Sequence, residues 1–374
     1  MWKKLILAGV VGWLATLGAW PTTAQMLGRV GNIQVDDTVC GMGDLNLDQA
    51  YTCVQVTVRC LGLDGLPIEN RPVQLRITTP PEGTPILGTV VFGLGGTGRV
   101  FFENSQRPND PALPSADMLN ELNLAGFRVI QRAWPDPGPF EAGGWVNGST
   151  SLQASACRYA TLLDWIYQQP ELHDPSSQAF CAVGQSGGGS EIGYALETYG
   201  LGNLIDMAVF TGGPPHGVID GSCDPADTAW QQTCNAHLEN LGICPQDGPD
   251  GHTCLFPPQN VANNVDAAFE LNPFPNDMPC ALADAPTLQA NGILSPLAVP
   301  NYPNTHVAFL VGRDDCTSSS ATGSPYIQAV LDHSTGPTSF ATLLGVSHEL
   351  PAFETGADAI GAALLASNGC IRRH

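Results

Sequence analysis

Residues 179–196 read AFCAVGQSGGGSEIGYAL. The opening apolar run, Ala179 to Val183, suits a short strand buried on both faces. From Ser190 onward Ile192, Ala195 and Leu196 recur at helical spacing. Between the two lies Gly184-Gln185-Ser186-Gly187-Gly188, one serine set among glycines. Glycine loses more backbone freedom on folding than any other residue, so such a cluster marks a place where a side chain does not fit. The stretch therefore predicts a strand, a sharp turn and a helix, with Ser186 at the apex.

The same alternation extends in both directions. GTVVFG (88–93), FRVIQRAW (127–134), IDMAVFTG (205–212) and HVAFLVG (306–312) are further short apolar runs, most of them closed by glycine. Helical patterns separate them at 116–126 and 157–169, and a last strand (339–346) and helix (356–369) close the chain. Near the start, Val54, Val56 and Val58, then Val73, Leu75 and Ile77, alternate with polar residues as on two half-buried antiparallel strands. The expected fold class is α/β, a mostly parallel sheet with helices on both faces.

Residues 1–24 stand apart. Lys3 and Lys4, the apolar run Leu5–Trp20 and the small residues up to Ala24 have the layout of a secretory signal peptide. The run is short of the ~20 residues that span a bilayer, so no stable membrane span is expected after cleavage. Twelve cysteines, all beyond residue 24, then read as disulfides of a secreted or periplasmic protein. No CxxC pair suggests a metal site, and nothing calls for a cofactor. Residues 25–374 form the expected α/β domain. Within it 213–304, rich in Pro, Asn and Asp and carrying five cysteines, is expected to be a disulfide-stapled lid or cap inserted over the sheet. The formal net charge is −21, and both lysines of the chain lie in the first 24 residues. Such a chain repels phosphate backbones, which argues against nucleic-acid binding and for a neutral substrate.

The central turn matches G-x-S-x-G, in which a serine stands at a strand-to-helix elbow with its hydroxyl exposed to a substrate. A serine is a weak nucleophile alone and needs a base held by an acid, in the chain order Ser, acid, His. Asp314-Asp315 follows the strand ending at Gly312, and His348 follows the last strand. Acyl transfer also needs an oxyanion hole. Gly187 N–H is one candidate donor. The loop FGLGGTG (92–98) supplies the other, Leu94 by preference with Gly95 as the alternative. Trp134, Phe140 and Trp145, in the loop after another strand, are candidate substrate-lining aromatics, with simple loop packing as the competing role.

By its order of elements and by FGLGGTG, GQSGG and GRDD…GVSHE, the chain resembles a secreted member of the α/β-hydrolase superfamily. The resemblance implies an eight-stranded sheet and a Ser–acid–His machinery. It places the acid three residues after the closing glycine, at Asp315, with Asp314 the alternative. Phe92 departs from the family, where many members carry His. With serine at the elbow the resemblance implies a serine hydrolase, of esters before peptides. A non-catalytic binding protein on the same scaffold is the alternative of another class.

Overall fold

The apolar runs become the centre of one sheet because their residues have no solvent to face. β1 (Arg29–Val35), β2 (Tyr51–Arg59), β3 (Arg71–Thr78), β4 (Gly88–Gly93), β5 (Phe127–Ala133), β6 (Ala179–Gln185), β7 (Met207–Thr211), β8 (His306–Gly312) and β9 (Thr338–Leu343) pair in the order β1-β2-β3-β5-β4-β6-β7-β8-β9. Every residue of β4 to β8 is buried. Strands β1, β2, β3 and β5 are joined by antiparallel pairings, and all pairings from β5 through β9 are parallel. This computed structural model describes residues 26–35, 40, 50–62, 65–105, 113–135, 144–146, 151–224, 226–245, 254–255, 280, 284–295 and 298–373. The start at 1–24, read above as a signal segment, lies outside them.

The α/β class and the mostly parallel sheet agree with the sequence, but the sheet has nine strands where eight are expected. The addition is β1, RVGNIQV, an exposed edge strand whose register with β2 shifts between Gly31 and Gln34. Two apolar cores flank the sheet. α2 (Leu152–Gln168), α3 (Gly187–Glu197) and α7 (Ser318–His333) pack on one face; α1 (Pro114–Leu124) and α8 (Glu354–Leu365) pack on the other.

Register sets where loops can meet. Gly93 is level with Arg132 on one side and Gly184 on the other; Gln185 is level with Thr211, Thr211 with Leu310, and Gly312 with Leu343. The carboxyl ends of β4 to β9 thus share one edge, where open α/β sheets place their sites.

All twelve cysteines are paired: Cys40–Cys53, Cys60–Cys157, Cys181–Cys370, Cys223–Cys280, Cys234–Cys254 and Cys244–Cys316. The described part of 213–304 includes α4 (Asp220–Cys223), α5 (Thr228–Leu241) and α6 (Ala285–Asn291), and α5 packs on α7. Two disulfides lie within that stretch, and the third ties it to the loop after β8. Among the described residues no helix is long and apolar enough to cross a membrane.

Candidate active site

Ser186 follows directly on β6 and caps α3, with φ 50° and ψ −116°. A non-glycine residue there stores about 1–3 kcal/mol of strain, which the surroundings must hold in place. They do so sterically. A Cβ on Gly184 would overlap the Gly188 carbonyl, one on Gly188 the Gly93 carbonyl, and one on Gly187 the Gly96 carbonyl. The chain closes so tightly that the motif's glycines are a packing requirement. Ser186 N–H donates to Thr211 O at 2.8 Å, and its own carbonyl accepts from Ser190 N–H at 3.1 Å. The elbow is thus pinned to the end of β7 and to the first turn of α3.

The predicted acid and base meet. His348 Nδ1–H donates to Asp315 Oδ2 at 3.0 Å, and Asp315 is fully buried. Asp314 is exposed, and its N–H donates to Val346 O. Asp315 also accepts from Thr317 Oγ1 at 2.7 Å, Thr317 N–H at 3.1 Å and Ser320 Oγ at 2.5 Å. Burial alone would raise this carboxyl; the imidazole beside it and these hydrogen bonds outweigh burial and lower it. Burial alone would likewise lower His348. The Asp315 carboxylate outweighs it, with help from Glu349, and the imidazole is raised above its ordinary value.

The ring of His348 lies over Gly212, where a Cβ would come 3.2 Å from Cε1 and Nδ1. Gly212 follows Thr211, the residue that holds the Ser186 N–H, so imidazole and serine flank the same strand end. Among the described residues no hydrogen bond joins Ser186 Oγ to the imidazole. The hydroxyl instead lies 3.3 Å from Ser319 Oγ. With Nδ1 committed to Asp315, Nε2 is the nitrogen left to take a proton. The run Thr317-Ser318-Ser319-Ser320 therefore touches the acid through its two end residues, Thr317 and Ser320, and the serine through Ser319. Sequence reasoning passed over it; its signal was a string of small hydroxyl residues directly after the candidate acid.

The glycine loop lies against the elbow. Gly95 would bring a Cβ within 2.9 Å of Ser186 Cβ, and the turn is closed by Gly98 N–H to Gly95 O at 3.1 Å. Among the described residues the N–H groups of Leu94, Gly95 and Gly187 donate to no partner. Phe92 is buried against Phe102, with ring centroids 5.1 Å apart.

The aromatic pocket does not form as drawn from sequence. Trp134 and Trp145 have no exposed surface and belong to the core. Trp134 donates its indole N–H to Glu191 Oε1 at 2.8 Å, while Trp145 packs on Tyr194 and His216. As described, both are scaffold, because an indole sealed by α2 and α3 offers a substrate no face. Phe140 lies outside the described residues. Among the described residues no cluster of His, Cys, Asp and Glu could hold a metal ion.

The strand order and the serine elbow after β6 are those of the α/β-hydrolase fold. No family model matches the chain, and no curated protein matches it in sequence. Solved structures do align with it. The esterase Est1E from Butyrivibrio proteoclasticus aligns at 12% identity and a TM-score of 0.41, over 82% of this chain and 95% of its own. A thermostable carboxylesterase from a metagenomic library, EstE1, aligns at 13% identity and 0.45, over 82% and 85%. A Pyrobaculum calidifontis esterase aligns at 14% identity and 0.45, over 83% of each chain.

Proposed function

We propose that the protein is a secreted or periplasmic serine hydrolase of carboxylic esters, with Ser186 as nucleophile, His348 as general base and Asp315 as the acid that orients it. The observation that carries this is the hydrogen bond from the half-buried His348 to the buried Asp315, on the strand ends flanking a strained serine elbow. His348 Nε2 takes the proton from Ser186 Oγ as the oxygen attacks the ester carbonyl. The carbonyl oxygen becomes an oxyanion held by Gly187 N–H and by one N–H of the Leu94–Gly95 segment. Collapse expels the alcohol, which receives the proton from His348, and leaves an acyl-enzyme. Water repeats the sequence with the same base and frees the carboxylic acid. No cofactor enters this scheme. Residues 213–304 serve as a disulfide-stapled cap beside the site, a role supported by the Cys244–Cys316 link to the acid loop. The six disulfides and the basic, apolar start support export. The test is turnover of p-nitrophenyl esters of increasing acyl length by the wild type and by Ser186→Ala. The expected result is hydrolysis that falls by about 10⁴-fold or more in the variant. A variant keeping a tenth of wild-type turnover rules the reading out.

A further inference from the structure

The mechanism leaves one buried charge at the site without a role. Arg132 lies near the end of β5, and its side chain has no exposed surface. A guanidinium that deep is costly unless it is paired and hydrogen-bonded; its two Nη atoms are, while Nε has no partner among the described residues. Its Nη2 meets Oε2 of Glu191, on α3 in the second turn after Ser186. The other Glu191 oxygen is taken by the Trp134 indole. Burial raises the Glu191 carboxyl to about 7, and Arg132 and the indole N–H offset only part of that rise. The guanidinium also donates to backbone, from Nη1 to Gly98 O at 3.0 Å and from Nη2 to Leu94 O at 3.1 Å. Those carbonyls bracket the loop that faces the nucleophile. Glycines clear the space: a Cβ on Gly93 would lie 2.6 Å from Nη2, one on Gly188 would lie 3.2 Å from it, and one on Gly98 would overlap Nη1.

We propose that Arg132, braced by Glu191, is the positioning residue of the oxyanion hole: by holding the Leu94 carbonyl it aims the Gly95 N–H, which makes Gly95 the second oxyanion donor. The inference rests on the serine-hydrolase reading above. The described residues contain no cis peptide bond, and across a rigid trans peptide the carbonyl and the following N–H point in opposite directions. With Leu94 O turned to the guanidinium, Gly95 N–H faces away from it, on a residue packed against Ser186. That orientation selects Gly95 over Leu94. Glu191 shares α3 with Gly187, so the clamp sets both donors in one frame before substrate arrives. Donors fixed in advance need no reorganisation as charge develops, which is why a preorganised oxyanion hole is effective. Lysine cannot replace the clamp, because a single ammonium lacks the planar fork that reaches two carbonyls and a carboxylate together.

The experiment compares wild type, Arg132→Lys and the double variant Arg132→Met/Glu191→Gln on one p-nitrophenyl ester, reading kcat, KM and thermal melting. The double variant removes both charges of the buried pair, a change that folded proteins often tolerate. Both variants are expected to lose about 10²-fold in kcat with KM within about twofold, since only transition-state contacts are disturbed. A folded variant with kcat within twofold of wild type overturns the proposal. So does a rise in KM with kcat unchanged, and so does failure of both variants to fold, which makes the pair a folding element. A wild type lacking Ser186-dependent turnover overturns the serine-hydrolase reading itself, and this inference with it.

Discussion

Two adjacent carboxylates at the end of β8 have opposite surroundings, and that contrast supports Asp315 over Asp314 as the proposed acid. Asp315 is sealed, accepts from Thr317 and Ser320 and faces the imidazole, whereas Asp314 is exposed. Asp315→Asn is expected to lower kcat/KM by about 10³- to 10⁴-fold, because the amide neither stabilises the imidazolium nor enforces its tautomer. Asp314→Asn should stay within the same order of magnitude as wild type. Measuring kcat/KM for both single variants decides it, and a larger loss at Asp314 would reverse the assignment. The same pair fixes the pH dependence. The base works only when neutral, and the Asp315 carboxylate raises His348 above its ordinary 6.5. Activity should therefore be lost as pH falls through a midpoint above 6.5 and be full only on the alkaline side. A kcat/KM profile against pH with its acid limb centred below about 6 would contradict this.

At the scale of elements, the loop after β8 is held by more than its strand. Cys316 adjoins Asp315 and is bonded to Cys244, whose N–H donates to Arg313 O at 2.8 Å. Cys316 is half-buried, while Cys60, Cys157 and Cys181 are sealed in the cores on either side of the sheet. Dithiothreitol should therefore open Cys244–Cys316 before it disturbs the sheet. Followed together, activity should fall at least about tenfold while the circular dichroism of the fold persists, since small displacements of a catalytic group are costly. Coincident loss of both signals would show the staple to be global. The elements were largely legible. Five apolar runs announced β4 to β8, because strands buried on both faces carry no polar alternation. The elbow was legible because its steric demands leave only glycine at Gly184 and Gly188. β1 was not, since an exposed edge strand needs no apolar pattern. The Arg132–Glu191 clamp was not either: its members stand 59 residues apart, and no periodicity marks a buried charge or its partner. The roles of Trp134 and Trp145 stayed open in the sequence because an aromatic in a loop looks the same whether it lines a pocket or fills a core.

On the scale of the whole molecule, a formal charge of −21 with so few basic side chains gives the protein a net negative field. Neutral esters should be preferred to anionic ones of equal size. Comparing p-nitrophenyl acetate with mono-p-nitrophenyl succinate at low salt should show a kcat/KM deficit of roughly threefold or more for the anion. The deficit should shrink near about 0.5 M sodium chloride, where the Debye length is only a few ångströms. A salt-independent ratio would move the discrimination from long-range charge to pocket shape. All of these expectations rest on Ser186 forming a covalent bond to substrate. The direct measurement is incubation of the intact protein with a fluorophosphonate, followed by peptide mass spectrometry. The account predicts one phosphonyl adduct, on Ser186, that forms in step with loss of ester hydrolysis and is absent from His348→Ala. Full inactivation with the adduct on another residue, or an unmodified Ser186 in protein that still turns over ester, would contradict it.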